Sequence, residues 1–495
     1  DNLQYPEGLA CASVLEAGQE SDNSNNASSI IKGALLGSAF KGLISFVGVL
    51  KGGLETAMLS GNRIFFFGGD ISPALLAVGF IVRLNVAVLI FIGGFIGWLV
   101  GIPLLGHGLE HAANPVEGAW ELWSTKIRYV GVGAMVVGGM SSIFRVRKGL
   151  VDAIKVLRDS QINIDQSNIP LNQRDIPAKA INVFSAIAVI LVGGVYYYIT
   201  KNAAITVVTT VIMIIMAFFF TAVASYIVGL VGNSNSPVSG MTITAVLFTG
   251  GLLYVFGFSG TEGMVATLGV AAIVCCAACT SGDVCNDLKT GQIVGSSPYR
   301  QQIMQIAGVA VASLVMAPIM QLLHETTPGG IGGRELAAPQ AGLFASLANG
   351  FFGDGVLPWN MVAIGSIIGV VILVGDSLLE SKKTDFRLHL MPIAVGMYLP
   401  FGLSTPILIG GLLAHFILSK DNSNQAPDNV LQKGVLLSSG LIAGESLMGI
   451  LLAFVAGAGI QSLNLNIDAN LITGLTLLAA LGTIWWLYNS AKSKY

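Results

Sequence analysis

The stretch Cys275–Gln302, "CCAACTSGDVCNDLKTGQIVGSSPYRQQ", joins two long apolar runs and carries Asp283, Asp287, Lys289 and Arg300, in a chain where only 11% of residues are charged. Hydrocarbon on both sides with charge gathered between them reads as two bilayer crossings and the polar connection between them. A crossing takes roughly 20 apolar residues. By that measure the candidate spans are 30–50, 84–105, 127–144, 181–200, 204–231, 241–257, 262–281, 302–324, 358–378, 404–419, 430–458 and 470–488. The composition agrees, with 53% hydrophobic residues and a mean hydropathy of +0.75. A soluble chain would carry about a quarter of its residues as charges. The 62 glycines suit membrane helices, whose backbones approach closely over small residues. The expected fold is all-α: a polytopic transmembrane helical bundle, residues 1–495 forming a single multi-pass domain. A net charge of −2 gives no footprint for nucleic acid.

The cations collect in a few connections, at about 145–180, 282–301, 379–388 and 420–433, and at the end of the chain. With the spans above, all of these fall on one side, which the positive-inside rule makes cytoplasmic. Lys126, Arg128, Lys201 and Arg334 oppose the trend more weakly. Within 282–301, Asp283 and Asp287 are expected to pair with Lys289 or Arg300 and fix the loop against helix ends, where it could gate an exit.

Three apolar pieces, 72–82, 338–352 and 389–400, are too short to cross and carry Pro73, Pro339 and Pro400. Broken or re-entrant helices of this kind persist only where protein or a hydrated cavity surrounds them, and in transporters they build the substrate site. "ISPALLAVG" from Ile71 and "LSTPILIGG" from Leu403 faintly echo one another. The strongest break signal is "GLVGNSNSPVSGMTI", Gly229–Ile243. Pro237 lacks a donor, and Asn233, Ser234, Asn235 and Ser239 offer side chains to a ligand, or simply make a polar hairpin. Tyr398, in "VGMYLPFG", is a further candidate for contact with a substrate, or an interfacial anchor.

Carboxylates inside apolar runs are costly unless paired, protonated or wet. Glu445, in "SSGLIAGESLMGILLA", lies far from either end of its run and is the leading candidate for proton coupling. Asp376 and Asp70 are candidates too, although either could merely cap a helix. Other chemistries find little support. The cysteines in "VAAIVCCAACTSG" read as small packing residues, with no second pair for a four-thiolate site. "GHGLEH" spaces His107, Glu110 and His111 like an inverted zinc-protease motif, but Pro103, Gly106, Gly108 and Pro115 crowd it and no third ligand follows. Lys289–Thr290–Gly291 lacks the glycine-rich run of a phosphate loop. No metal site, cofactor, catalytic residue or ring of channel charges is expected.

These motifs resemble those of the OPT (oligopeptide transporter) family. The core around Asp287, Lys289, Thr290 and Gly291 looks like its signature. "YPEGLACASVLEAG" at 5–18, the 229–243 stretch, "PIAVGMYLPFGLSTPILIGGLL" at 392–413 and "GVLLSSGLIAGESLMG" at 434–449 agree in the same order. The resemblance implies a secondary transporter of a bacterial inner membrane, driven by a proton gradient and moving small peptides by alternating access. The alternative it implies is uptake of metal–chelate complexes, the habit of the yellow-stripe-like branch. Protons, the substrate, the bilayer and further copies of the chain in a homo-oligomer are the partners implied. Family members carry spans before the "PEG" motif, which here begins at Tyr5, so the resemblance also implies that an N-terminal part is missing.

Overall fold

Apolar runs bounded by Pro and Gly become helices almost throughout the chain. The computed structural model describes residues 5–17, 24–61, 63–106, 114–145, 174–231, 233, 236, 238–333, 336, 338–353, 358–384, 386–419, 427–460, 462–463, 465 and 468–492. In chain order the helices begin with α1 (Pro6–Ala17) and α2 (Ser24–Gly42), which ends in a π-helical turn, Leu43–Val47. A hairpin follows, β1 (Gly53–Ser60) and β2 (Arg63–Asp70), antiparallel with Gly53 opposite Asp70. Then come α3 (Pro73–Gly94), a π-helical stretch Phe95–Gly101, α4 (Ile102–Leu105), α5 (Pro115–Leu122), a second such stretch Trp123–Ile127, and α6 (Arg128–Arg145). The middle of the chain holds α7 (Ala178–Thr200), α8 (Ala203–Val231), α9 (Val238–Val255), α10 (Gly260–Val294) and α11 (Pro298–Thr326). The rest is α12 (Pro339–Phe352), α13 (Trp359–Ser381), α14 (Leu390–Tyr398), α15 (Phe401–Ser419), α16 (Pro427–Gly457) and α17 (Ala469–Lys492).

Among the described residues, 10 helices are long and apolar enough to cross a membrane. Two of the expected spans fall outside that set. Residues 127–144 do form α6, but its Gly and Ser content and terminal arginines dilute its hydropathy; 404–419 becomes α15, whose apolar part is only Phe401–Ile417. The piece 72–82 opens α3, while 338–352 and 389–400 are the short helices α12 and α14.

The connection expected at 282–301 is largely helix. Helix α10 runs 35 residues to Val294 and stops at Gly295, which takes a φ of 78°. Nothing before that glycine breaks a helix, so polarity alone misplaced the boundary by a dozen residues. The hairpin was also unforeseen. Its turn falls at Gly61, whose φ of +55° favours a residue without a side chain.

The chain divides into two compact units: Asp1–Ser21 with Val136–Ala317 and Gln340–Leu357, and Asp22–Met135 with Pro318–Pro339 and Pro358–Tyr495. In the first, Phe220, Ala224 and Ile227 of α8 bury against Met241 and Ala245 of α9 and Val270 and Val274 of α10. In the second, Leu76 and Phe80 of α3 pack with Leu413 and Ile417 of α15, Leu437 and Leu441 of α16, and Leu487 of α17.

Lipid tails are as apolar as leucine, so helix association in a bilayer leans on close packing rather than on removal from water. Here it is achieved by glycines facing one another. A Cβ at Gly79 of α3 would overlap the carbonyl of Ile407 in α15, and one at Gly410 would overlap that of Leu76. The same reciprocity links Gly93 with Gly396, Gly133 with Gly365, and the pair Gly33 and Gly37 of α2 with Gly440 and Gly444 of α16. The two echoing segments, 71–79 and 403–411, thus meet at one of these crossings.

Candidate functional site

The break between α14 and α15 follows directly from Pro400. Proline cannot donate, and it keeps the residue before it out of helical conformation; Leu399 accordingly has φ −69° and ψ 150°. Of the carbonyls left without helical partners, those of Tyr398 and Leu399 are claimed by indoles. Trp98 Nε1 donates to the Leu399 carbonyl at 3.0 Å, and Trp123 Nε1 donates to the Tyr398 carbonyl at 3.1 Å. Trp98 is fully buried and stacks with Trp123, centroids 5.9 Å apart, with Trp120 and Phe66 edge-on and tilted beside them. Tyr398, 4% exposed, rests on Gly131, where a Cβ would come within 2.8 Å of the tyrosine backbone. The Arg128 guanidinium lies 5.3 Å from the Tyr398 ring and 6.0 Å from that of Trp123. A small cavity opens here, lined by Trp123, Arg128, Tyr398, Leu399 and Pro400 and by Gly332, Gly333 and Ala338.

Glu445 sits at the start of another helix. Ser72 is the N-cap of α3, accepting from Leu75 N–H at 3.1 Å, with Pro73 at the first helical position. The Ser72 hydroxyl donates to the Glu445 carboxylate at 2.9 Å, and Ala74 N–H donates to its Oε2 at 2.8 Å. The carboxylate therefore completes the cap of a helix 371 residues away in sequence, where helix N-termini favour negative charge. Asp70 occupies a comparable place at the end of β2. It faces Gly402 in the first turn of α15, where a Cβ would overlap its Oδ1.

Asp376 is different. It is fully buried near the end of α13 and meets a cation: Arg387 Nε and Nη2 donate to its two oxygens at 2.9 and 3.0 Å, and Leu388 N–H donates at 3.0 Å. Arg387 also reaches Glu380 at 2.9 Å. This ion pair pins the connection after α13 to the helix it leaves.

In the first unit the signature residues lie along the last turns of α10 and hold neighbouring helices. Asn286 Oδ1 accepts from Gly8 N–H at 3.1 Å, and the Thr290 hydroxyl donates to the Gly8 carbonyl at 3.0 Å, tying down α1. Gly291 makes room for Gln301, whose amide donates to the Asp287 carbonyl at 2.9 Å; Gln305 donates to the Asp287 carboxylate at 3.1 Å. Asp283 accepts from the Asn233 amide, and Lys289 donates to Gln292 at 3.1 Å. The expected pairing of Asp283 and Asp287 with Lys289 or Arg300 is not found among the described residues. On a helix, Asp287 and Lys289 are two positions apart and so face different ways. Tyr5 starts α1 with φ 50° and donates its N–H to the Gly229 carbonyl at 3.1 Å. Burial pushes its phenol up to about 12, and the adjacent Cys285 adds to the shift.

The second break predicted from sequence is present, between α8 ending at Val231 and α9 beginning at Val238. Asn233 lies in it and Ser239 opens α9; Ser234 and Asn235 are outside the described residues, as are His107, Glu110 and His111. Ser236 Oγ is buried without a partner. Sequence reasoning singled out Tyr398 but missed Trp98, Trp123 and Ser72, and it weighed Arg128 only as a topology signal. The aromatic spacing "WELW" at 120–123 was the available clue.

The model of the OPT oligopeptide transporter protein family matches residues 1–456. A Haemophilus influenzae protein named "Putative oligopeptide transporter" is 29% identical over 94% of this chain and 80% of its own length. A Saccharomyces cerevisiae protein named "Putative oligopeptide transporter YGL114W" is 23% identical over 89% of this chain. An Arabidopsis thaliana protein named "Probable metal-nicotianamine transporter YSL5" is 27% identical over 46% of it. The chain spans 65% and 32% of the yeast and plant relatives' own lengths. Broken helices, a half-buried acid at a helix start and, among the described residues, ten helices apolar and long enough to cross a membrane thus coincide with a family match over nearly the whole sequence: the chain belongs to the OPT oligopeptide transporter family and is a multi-pass integral membrane protein.

Proposed function

We propose that the protein is a proton-coupled symporter of small oligopeptides, working by alternating access in a bacterial inner membrane. The observation that supports this most directly is the Glu445 carboxylate held on the N-terminus of α3 by a hydroxyl and a backbone N–H. Neither partner is a cation, so a proton arriving at Glu445 has no fixed positive charge to displace. Protonation removes a charge-assisted acceptor from the α3 cap. Hydrogen bonds to charged groups contribute about 1.5–3 kcal/mol each, so this one event is able to bias a two-state equilibrium by roughly 10- to 100-fold.

The test is uptake into proteoliposomes with and without a pH gradient. Glu445→Gln should abolish gradient-driven accumulation while exchange of internal for external substrate continues. Unchanged proton dependence in that variant removes Glu445 from coupling and the reading with it. The second reading, uptake of a metal–chelate complex, is favoured by the plant relatives' names. A screen of di- to pentapeptides against metal–nicotianamine complexes separates the two.

A further inference from the structure

We propose that Arg128 and Tyr398 form an anchoring site for a carboxylate group of the transported molecule. This rests on the carrier reading above and goes beyond it by naming the group recognised. The wall chemistry of the cavity at the helix break is one-sided. The indole N–H groups are already engaged by the Tyr398 and Leu399 carbonyls. The N–H groups of Gly332 and Gly333 are taken by the carbonyls of Leu336 and Gly330, at 2.8 and 3.1 Å. What the described lining has left to offer is the Arg128 guanidinium and the Tyr398 hydroxyl.

The Arg128 guanidinium lies against the Tyr398 ring, 5.3 Å from its centroid. Arginine offers only donors, and a phenol has a hydrogen to donate. Arg128 Nε is buried with no hydrogen-bond partner, and among the described residues no carboxylate lies within ion-pair distance of it. Stacking on Tyr398 and Trp123 accounts for where the guanidinium plane sits, but it leaves that donor unanswered. A cation and a phenol among the residues lining a space walled by aromatic rings and glycine backbone call for a planar anion. The guanidinium fork matches a carboxylate bidentately. A peptide C-terminus and the carboxylates of a metal chelator share this chemistry. Gly131 brings Tyr398 to the cavity, since a Cβ there would strike the tyrosine backbone.

The experiment uses the full chain in lipid nanodiscs and reads the fluorescence of its tryptophans, which neighbour the site. The probes are trialanine, trialanine amide and the iron(II)–nicotianamine complex. Trialanine or the chelate should give a saturable change, and the amide should need at least tenfold more ligand than trialanine if the peptide is the source. Arg128→Gln should weaken carboxylate binding at least tenfold and erase the acid-over-amide preference. Arg128→Lys should keep part of it, and Tyr398→Phe should lose a few-fold. Equal affinity for acid and amide together with chelate binding unaffected by Arg128→Gln overturns the proposal, as does the absence of any saturable change with trialanine and chelate alike. Parallel uptake measurements separate the two levels. Arg128-dependent binding without uptake sinks the carrier reading and leaves the anchor standing, whereas uptake indifferent to Arg128→Gln sinks the anchor alone.

Discussion

Two acids in apolar helices, Glu445 of α16 and Asp376 of α13, are held in opposite ways. Asp376 faces a guanidinium that grips both of its oxygens, and its pair sits where a helix hands over to a short connection. Glu445 faces a hydroxyl and an N–H at the start of a different helix. A cation keeps a carboxylate charged across the physiological range, and losing either partner leaves a buried charge exposed to hydrocarbon. Neutral donors hold a carboxylate in place without supplying a countercharge. An intramembrane acid is therefore judged by what donates to it more than by its depth. On that ground the proposed coupling rests on Glu445, while Asp376 serves as a structural ion pair.

That contrast can be broken in several ways. The largest expected effect is on folding: Asp376→Asn leaves Arg387 only the exposed Glu380 as a carboxylate partner, and the purified protein should lose several degrees of thermal stability and much of its yield. If Asp376→Asn protein is instead stable but uncoupled from pH, the assignment is reversed. Next comes Gly444→Val, at the α2–α16 crossing just before Glu445. Its side chain would strike the Ala34 backbone, which cannot move as a side chain can. A loss of about 3 kcal/mol and a visible fall in melting temperature should follow. Ser72→Ala comes third. It removes one donor to Glu445 and the N-cap of α3, about 1 kcal/mol, and should change the pH midpoint of uptake. A midpoint that stays in place would separate the α3 cap from proton coupling. The smallest effect is expected for Trp123→Phe. It deprives one carbonyl at the α14–α15 break of its donor while Trp98 still serves the other, and should cost about 1 kcal/mol with coupling intact.

Much of this arrangement was readable in the chain itself, for identifiable reasons. Glu445 stands out because a lone acid amid Leu, Ile and Ala has no bland surface explanation, and the breaks at 232–237 and 400 are written in Pro and Asn. What could not be read were partnerships across long separations. Ser72 and Glu445 are 373 residues apart, and Trp98 and Leu399 are 301 apart. No local pattern marks either pair. Arg128 suffered similarly: alone it counts as a stray positive charge, and only its place beside Tyr398 gives it chemistry. The signature around Lys289 misled in a different sense. Its polarity suggested a connection, whereas a helix tolerates every residue in it until Gly295.

The reciprocal glycine contacts have a mechanical consequence. Where two helices touch through bare backbone, the point of contact itself holds no side chain that must change rotamer when the pair tilts. Such a joint holds two axes close, and tilting about it disturbs only the side chains packed farther along the helices, as at a pivot. A molecule assembled on several of them has its axes of rotation written into it before any cargo arrives.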